Sequence, residues 1–223
     1  AHGDERIDDY YWLRDDTRKN PEVISYLEAE NKYLESWFES KNDCRKEIYD
    51  ELVSFIPPHE VSMKVKYGDY YYFSEISSDQ QYKTYYREIN GNKELVLDVN
   101  ELAKDLDYFN VASITPSPNN HYIAYAEDLS GRREYNIKIK NLETGQIIDE
   151  SIQRSSGSVV WNKNNDTIYY ALKDPVTLIE NKVFKHKVGT DIKEDILVYE
   201  EKDTEFHLHI FESRTKKYLN IYS

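Results

Sequence analysis

Residues 109–152 read FNVASITPSPNNHYIAYAEDLSGRREYNIKIKNLETGQIIDESI, and the fold is decided there. The stretch divides into four short runs, FNVASIT, HYIAYAE, YNIKIKN and QIIDESI, separated by turn chemistry. The first break is Pro116-Ser117-Pro118-Asn119-Asn120, the second covers 128–133, and the third is Glu143-Thr144-Gly145. Ile123 and Tyr125, then Ile137 and Ile139, stand at alternate positions, as on strands with one buried face.

The same unit recurs on both sides. Upstream, VSMKVKY, DYYYFSE, YKTYYREI and KELVLDV repeat the order between Val61 and Val99. Downstream, GSVVWN, DTIYYALK, KVFKHKV and DILVYEE repeat it between Gly157 and Glu201. Gly91, Gly145 and Gly189 fall at the same turn, from third strand to fourth. First strands begin near Val61, Phe109, Ser155 and Phe206, a spacing of roughly 46 to 51 residues. Four strands at that period make one blade of a β-propeller. The expected fold is therefore all-β: a partial propeller of four-stranded antiparallel blades over 59–223. It holds three blades and the start of a fourth, FHLHIFES with KYLNIYS.

Residues 1–58 read differently, as an N-terminal α-helical extension. After an extended lead-in, Asn20 suits an N-cap, Pro21 the first helical position and Glu22 the first turn. Ile24, Leu27, Leu34 and Phe38 mark the apolar face of a helix running to about Glu39. A second helix is expected from about Asp43 to Phe55, with Ile48, Leu52, Phe55 and Ile56 facing inward and Pro57-Pro58 ending it. Asp8-Asp9 and Asp15-Asp16 read as capping and ion-pair groups.

Composition narrows the partners. A formal charge of −13 argues against nucleic acid or an anionic membrane as the main partner. The 21 tyrosines suit β-structure, where a ring packs while its hydroxyl reaches water. Cys44 is the only cysteine, which excludes an internal disulfide and favours a reducing, cytoplasmic setting. No apolar run approaches a membrane span. The chain opens at Ala1 without methionine, so the missing signal peptide carries little weight.

Several motifs together resemble a known family. They are His2-Gly3-Asp4-Glu5-Arg6-Ile7-Asp8-Asp9-Tyr10-Tyr11-Trp12-Leu13-Arg14-Asp15-Asp16 and, in the first helix, Tyr26-Leu27-Glu28-Ala29-Glu30-Asn31. The second blade adds Ala126-Glu127-Asp128, Arg132-Arg133 and Asn141-Leu142-Glu143-Thr144-Gly145; the third adds Pro175-Val176-Thr177-Leu178 and LVYEEKD from Leu197. In collinear order over essentially the whole chain, they resemble the start of the prolyl oligopeptidase family of serine peptidases, in its oligopeptidase B branch. The resemblance implies a seven-bladed propeller capping an α/β-hydrolase domain, against which the N-terminal extension packs. It implies a Ser-Asp-His triad outside these residues, cleavage of short peptides after arginine or lysine, no cofactor, and a propeller that limits access to small peptides. This chain would gate and scaffold, and be inactive alone. A non-enzymatic propeller that binds other proteins is the alternative.

The residues agree that no catalytic centre is present. Ser155-Ser156-Gly157-Ser158 approaches G-x-S-x-G but has Val160 in place of the second glycine, and it leads into a strand. None of His2, His59, His121, His186, His207 and His209 stands in a catalytic motif. His207 and His209 would share a strand face, but a third metal ligand is lacking, so no metal site is assigned. Through the resemblance, Ser156 occupies a turn facing the hydrolase domain where relatives often carry an acidic residue. Arg132 and Arg133 are expected to form interdomain ion pairs or a solvated loop. Self-association through the apolar helix face and the KYLNIYS edge is expected for the chain alone.

Overall fold

The computed structural model describes residue 3 and residues 5–223, which fall into two units, 1–57 and 58–223. His2, and Ala1 and Asp4 beside it, lie outside the described residues.

In the first unit the lead-in is less extended than expected. It holds a 3-10 turn at Tyr11–Leu13, and Asp15 folds the next segment around its carboxylate. Asp15 accepts from the Thr17 amide at 3.0 Å and hydroxyl at 2.6 Å, and from the Lys19 and Asn20 amides at 2.7 Å each. The Thr17 hydroxyl first, then these amides, lower its pKa to about 2. Asp8 caps the Tyr10 amide at 2.9 Å, and Asp16 pairs with Arg14 at 3.4 Å. Helix α1 (Pro21–Phe38) starts as expected, with Asn20 accepting from the Glu22 amide at 3.0 Å. Helix α2 (Asn42–Ser54) follows. Their apolar faces are not buried. Leu27, Leu34 and Ile48 are about half exposed, Leu52, Phe55 and Ile56 more so, and within the two helices only Val23 is buried. The inward orientation expected for Ile48, Leu52, Phe55 and Ile56 is thus corrected.

The second unit is a run of antiparallel sheets. Its first blade comprises β1 (His59–Val61), β2 (Val65–Tyr67), β3 (Tyr70–Ser77), β4 (Thr84–Ile89) and β5 (Asn92–Asp98). The single first strand expected from VSMKVKY is two short ones, both paired to β3. The break falls at Ser62, whose hydroxyl takes over a ladder bond by accepting from the Ser74 amide at 2.9 Å. A short helix, α3 (Val99–Leu102), capped by Asp98, leads on.

The second and third blades form one seven-stranded sheet: β6 (Asn110–Pro116), β7 (Tyr122–Asp128), β8 (Tyr135–Asn141), β9 (Ile147–Trp161), β10 (Thr167–Lys173), β11 (Glu180–Lys187) and β12 (Ile196–Glu200). Strand β9 spans two elements that the repeat pattern separates. Its first half pairs with β8, its second with β10, and Ser155 stands opposite both Tyr135 and Leu172. Arg154 at φ 58° and Gly157 at φ 93° bend the strand there. The fourth unit is the pair β13 (His209–Glu212) and β14 (Leu219–Tyr222).

The core lies between blades, not within them. Val96, Leu97, Val99, Phe109, Ile123 and Tyr125 fill the first seam. Ala124, Ile137, Ile139, Ile152, Trp161, Ile168 and Tyr170 belong to the cluster of the second. Val160, Val183, Leu208 and Ile210 fill the third. Strand β7 sends Ile123 and Tyr125 into one seam and Ala124 and Ala126 into the next, so it is buried on both faces. The one-sided burial expected of it is corrected for that reason. Each fully buried Ile or Leu contributes about 1.5–3 kcal/mol. Polar ties align the seams: the Arg87 guanidinium donates to the Asn120 carbonyl, and the Trp161 indole N–H donates to the Thr115 carbonyl at 3.0 Å.

Candidate functional site

The blades have two chemically distinct ends. Turns between first and second and between third and fourth strands share one end. There, positive φ falls on Gly68, Asn90, Gly91, Asn120, Gly145, Asn165, Gly189 and Lys216. All but the last are glycine or asparagine, which take this conformation readily. At the opposite end positive φ falls on Asp105, Gly131, Arg133, Arg154, Gly157 and Leu178. Arginine and leucine pay about 1–2 kcal/mol in this region, so tertiary structure holds them there.

That second end carries the residues singled out from the sequence. Asp128, at the end of β7, accepts from the amides of Ser130 at 2.8 Å, Gly131 at 3.0 Å and Arg133 at 2.7 Å. Burial works to raise its pKa, but these donors prevail and lower it. The loop is held so that Arg132 and Arg133 are exposed. Arg132 approaches Glu134 at 3.8 Å, and Arg154 approaches the same carboxylate at 3.0 Å. The Arg133 carbonyl accepts from Lys173 Nζ at 2.8 Å.

Ser156 is half-buried, two residues beyond Arg154, in β9 and not in the turn expected. The Arg154–Glu134 contact thus brings the 128–134 loop beside the bend that holds Ser156. Its hydroxyl accepts from the Ser158 amide at 3.3 Å, and that of Ser155 donates to the Tyr135 carbonyl at 2.9 Å. Both partners are backbone groups, an arrangement that does not activate a nucleophile. Gly157 is required by contact as well as conformation: a Cβ there would lie 2.9 Å from the Tyr135 ring.

The histidines are scattered. His207 lies outside β13, so it does not share a strand face with His209 as expected; it stands 3.9 Å from Glu180. Among the described residues, no group of three or more His, Cys, Asp or Glu side chains is placed to hold a metal. No helix among them is long and apolar enough to cross a membrane.

One cluster escaped the sequence reading. His186, fully buried on β11, has Nδ1 2.6 Å from Asp195 and Nε2 2.8 Å from Asp149. Tyr170 donates to Asp195 at 2.7 Å, while Gly189 and Ser151 donate to Asp149. Burial would raise the Asp149 pKa, yet bonds from His186, Gly189 and Ser151 hold it well below the carboxylate range. Burial depresses His186, and the two carboxylates override it and raise its pKa. Its partners lie 37 and 9 residues away, on β9 and just before β12, with no spacing that links them in the sequence.

The family model of the prolyl oligopeptidase N-terminal β-propeller domain matches residues 1–223. The chain belongs to the prolyl oligopeptidase family. It is 34% identical to dipeptidyl aminopeptidase BI of Pseudoxanthomonas mexicana, over 99% of this chain and 33% of that protein. It is 34% identical to Protease 2 of Moraxella lacunata, over 100% of this chain and 33% of the relative. Oligopeptidase B from Leishmania major superposes with a TM-score of 0.91 at 31% identity, covering 97% of this chain and 31% of that one. The chain thus spans about a third of the length of the relatives it matches. As a member of the prolyl oligopeptidase family it is a propeller portion, as the repeat pattern predicted, with the helical extension read from the capping and apolar spacing before it.

Proposed function

We propose that the chain is the propeller portion of a serine oligopeptidase that cleaves short peptides after arginine or lysine. The supporting observation is the likeness to oligopeptidase B, whose backbone this chain follows at a TM-score of 0.91. In this reading the propeller excludes large substrates, and serine attack takes place on an α/β-hydrolase domain carried by the rest of the polypeptide. In this reading the end bearing Arg132, Arg133 and Ser156, where positive φ falls on Arg133, Arg154 and Leu178, faces that domain. Residues 1–58 form the extension that packs on the same domain, offering the exposed Leu27, Leu34, Leu52 and Phe55. Short basic peptides are the substrates.

A second reading is removal of N-terminal dipeptides, favoured by the equal likeness to dipeptidyl aminopeptidase BI. Fluorogenic reporters separate the two on the longer polypeptide. The oligopeptidase reading expects cleavage of N-blocked peptides ending in arginine or lysine. The dipeptidyl reading expects cleavage only of reporters with a free N-terminus, at the bond after their second residue. A non-enzymatic scaffold would cleave neither.

A further inference from the structure

Backbone bonds align the second and third blades residue by residue. Ser117 N–H donates to the Tyr122 carbonyl and Asn162 N–H to that of Thr167; Leu142 N–H donates to the His121 carbonyl and Val188 N–H to that of Asp166. Ile123 stands opposite Lys140 and Ile168 opposite His186. His186 therefore holds the position in the third blade that Lys140 holds in the second. Both reach across a seam to the fourth strand of the preceding blade. Lys140 Nζ donates to the Val96 carbonyl of β5 at 3.0 Å, and His186 Nε2 meets Asp149 of β9 at 2.8 Å. The repeat places a cation at this position in the second blade, and the third blade fills it with a titratable ring.

Proton counting then constrains the pair that the ring forms with Asp195. A neutral imidazole has one N–H donor and one lone pair, yet both nitrogens face carboxylate oxygens. Asp149 already accepts from Gly189 N–H and from the amide and hydroxyl of Ser151, so it is ionised. Asp195 accepts from Tyr170. The contact at 2.6 Å between His186 Nδ1 and Asp195 needs one further proton. The groups facing His186 are thus Asp149 and Ser151 from β9, Tyr170 from β10, Gly189 from the following turn, and Asp195 before β12. Lys185 and Lys187 alternate to the other side of β11. We propose that Asp149, His186 and Asp195 form a proton-dependent latch that fastens the third blade to the second and releases the seam when its proton is lost.

The sign follows from the raised His186 pKa. The latch is complete below the unfolded-state value of about 6.5 and weakens as pH rises through the higher folded-state value. Ring 15N shifts of the labelled chain between pH 5 and 10 test it. His186 is expected to keep both nitrogens protonated at pH 8, where a free imidazole is neutral. Hydrogen-exchange protection of the Gly189 and Ser151 amides should then fall by about tenfold or more as the ring deprotonates. Asp195→Asn should abolish that fall, because an amide can donate to neutral Nδ1 while still accepting from Tyr170. A His186 ring carrying a single proton at pH 7 would overturn the proposal. So would an unchanged alkaline loss in Asp195→Asn. If that variant does not fold, the 15N titration of the unsubstituted chain still decides.

Discussion

At the residue scale, backbone conformation and close approach act together around Ser156. Gly157 combines φ 93° with a path so close to Tyr135 that a methyl group would meet the ring carbon at 2.9 Å. Gly157→Ala should destabilise the chain by about 2 kcal/mol or more, read as a lower urea midpoint at unchanged slope. Gly91, Gly145 and Gly189 meet nothing where a Cβ would stand, so their substitution carries only the conformational cost. Those three were legible as hairpin turns because the turn itself demands them. Gly157 was legible only as part of a failed serine motif, since its real constraint is a ring on another strand. Ser156 tests the proposed docking of this end. In the longer polypeptide, Ser156→Glu is expected to improve kcat/KM for dibasic over monobasic peptides. A carboxylate in a partly dry cavity would draw the second cation by about 1 kcal/mol, several-fold in the ratio. An unchanged ratio removes Ser156 from that role.

At the scale of elements, the repeat shows where strands are and the seams determine how they are buried. The boundaries of β7, β8, β10 and β11 follow the alternation and turn residues closely. Strand β9 does not, because Ser155 bonds in both directions and fuses the end of one blade to the start of the next. The sequence signals an interruption at Ser155-Ser156-Gly157, and the structure makes it a bend. Likewise, the helices were legible from Asn20-Pro21-Glu22 and Pro57-Pro58, but apolar spacing says only which face is apolar, not what covers it. The Asp149–His186–Asp195 cluster was illegible because its members belong to two strands and a turn spread over two blades. Among the seam ties, the Trp161 indole bond to the Thr115 carbonyl links first strands of neighbouring blades. Trp161→Phe should cost about 1–3 kcal/mol in chemical unfolding, since it leaves that carbonyl without its donor and loses ring area. A change within about 0.5 kcal/mol would mean that the tie is not a stabilising one.

At the scale of the whole molecule, the exposed side chains of α1 and α2 call for a cover. Leu27, Leu34, Leu52 and Phe55 each gain about 1.5–3 kcal/mol when buried. The isolated chain is accordingly expected to form dimers or larger species at about tens of micromolar. Light scattering of a monomer at that concentration would contradict this. In the proposed function the propeller shapes access while the reacting serine lies outside these residues. Labelling with a serine-reactive phosphonate tests it directly, followed by peptide mapping of the isolated 223-residue chain and of the longer polypeptide. The account predicts no adduct on the isolated chain and one stoichiometric adduct on the longer polypeptide, outside these residues. An adduct on Ser155, Ser156 or Ser158, or none on the longer polypeptide, would contradict it.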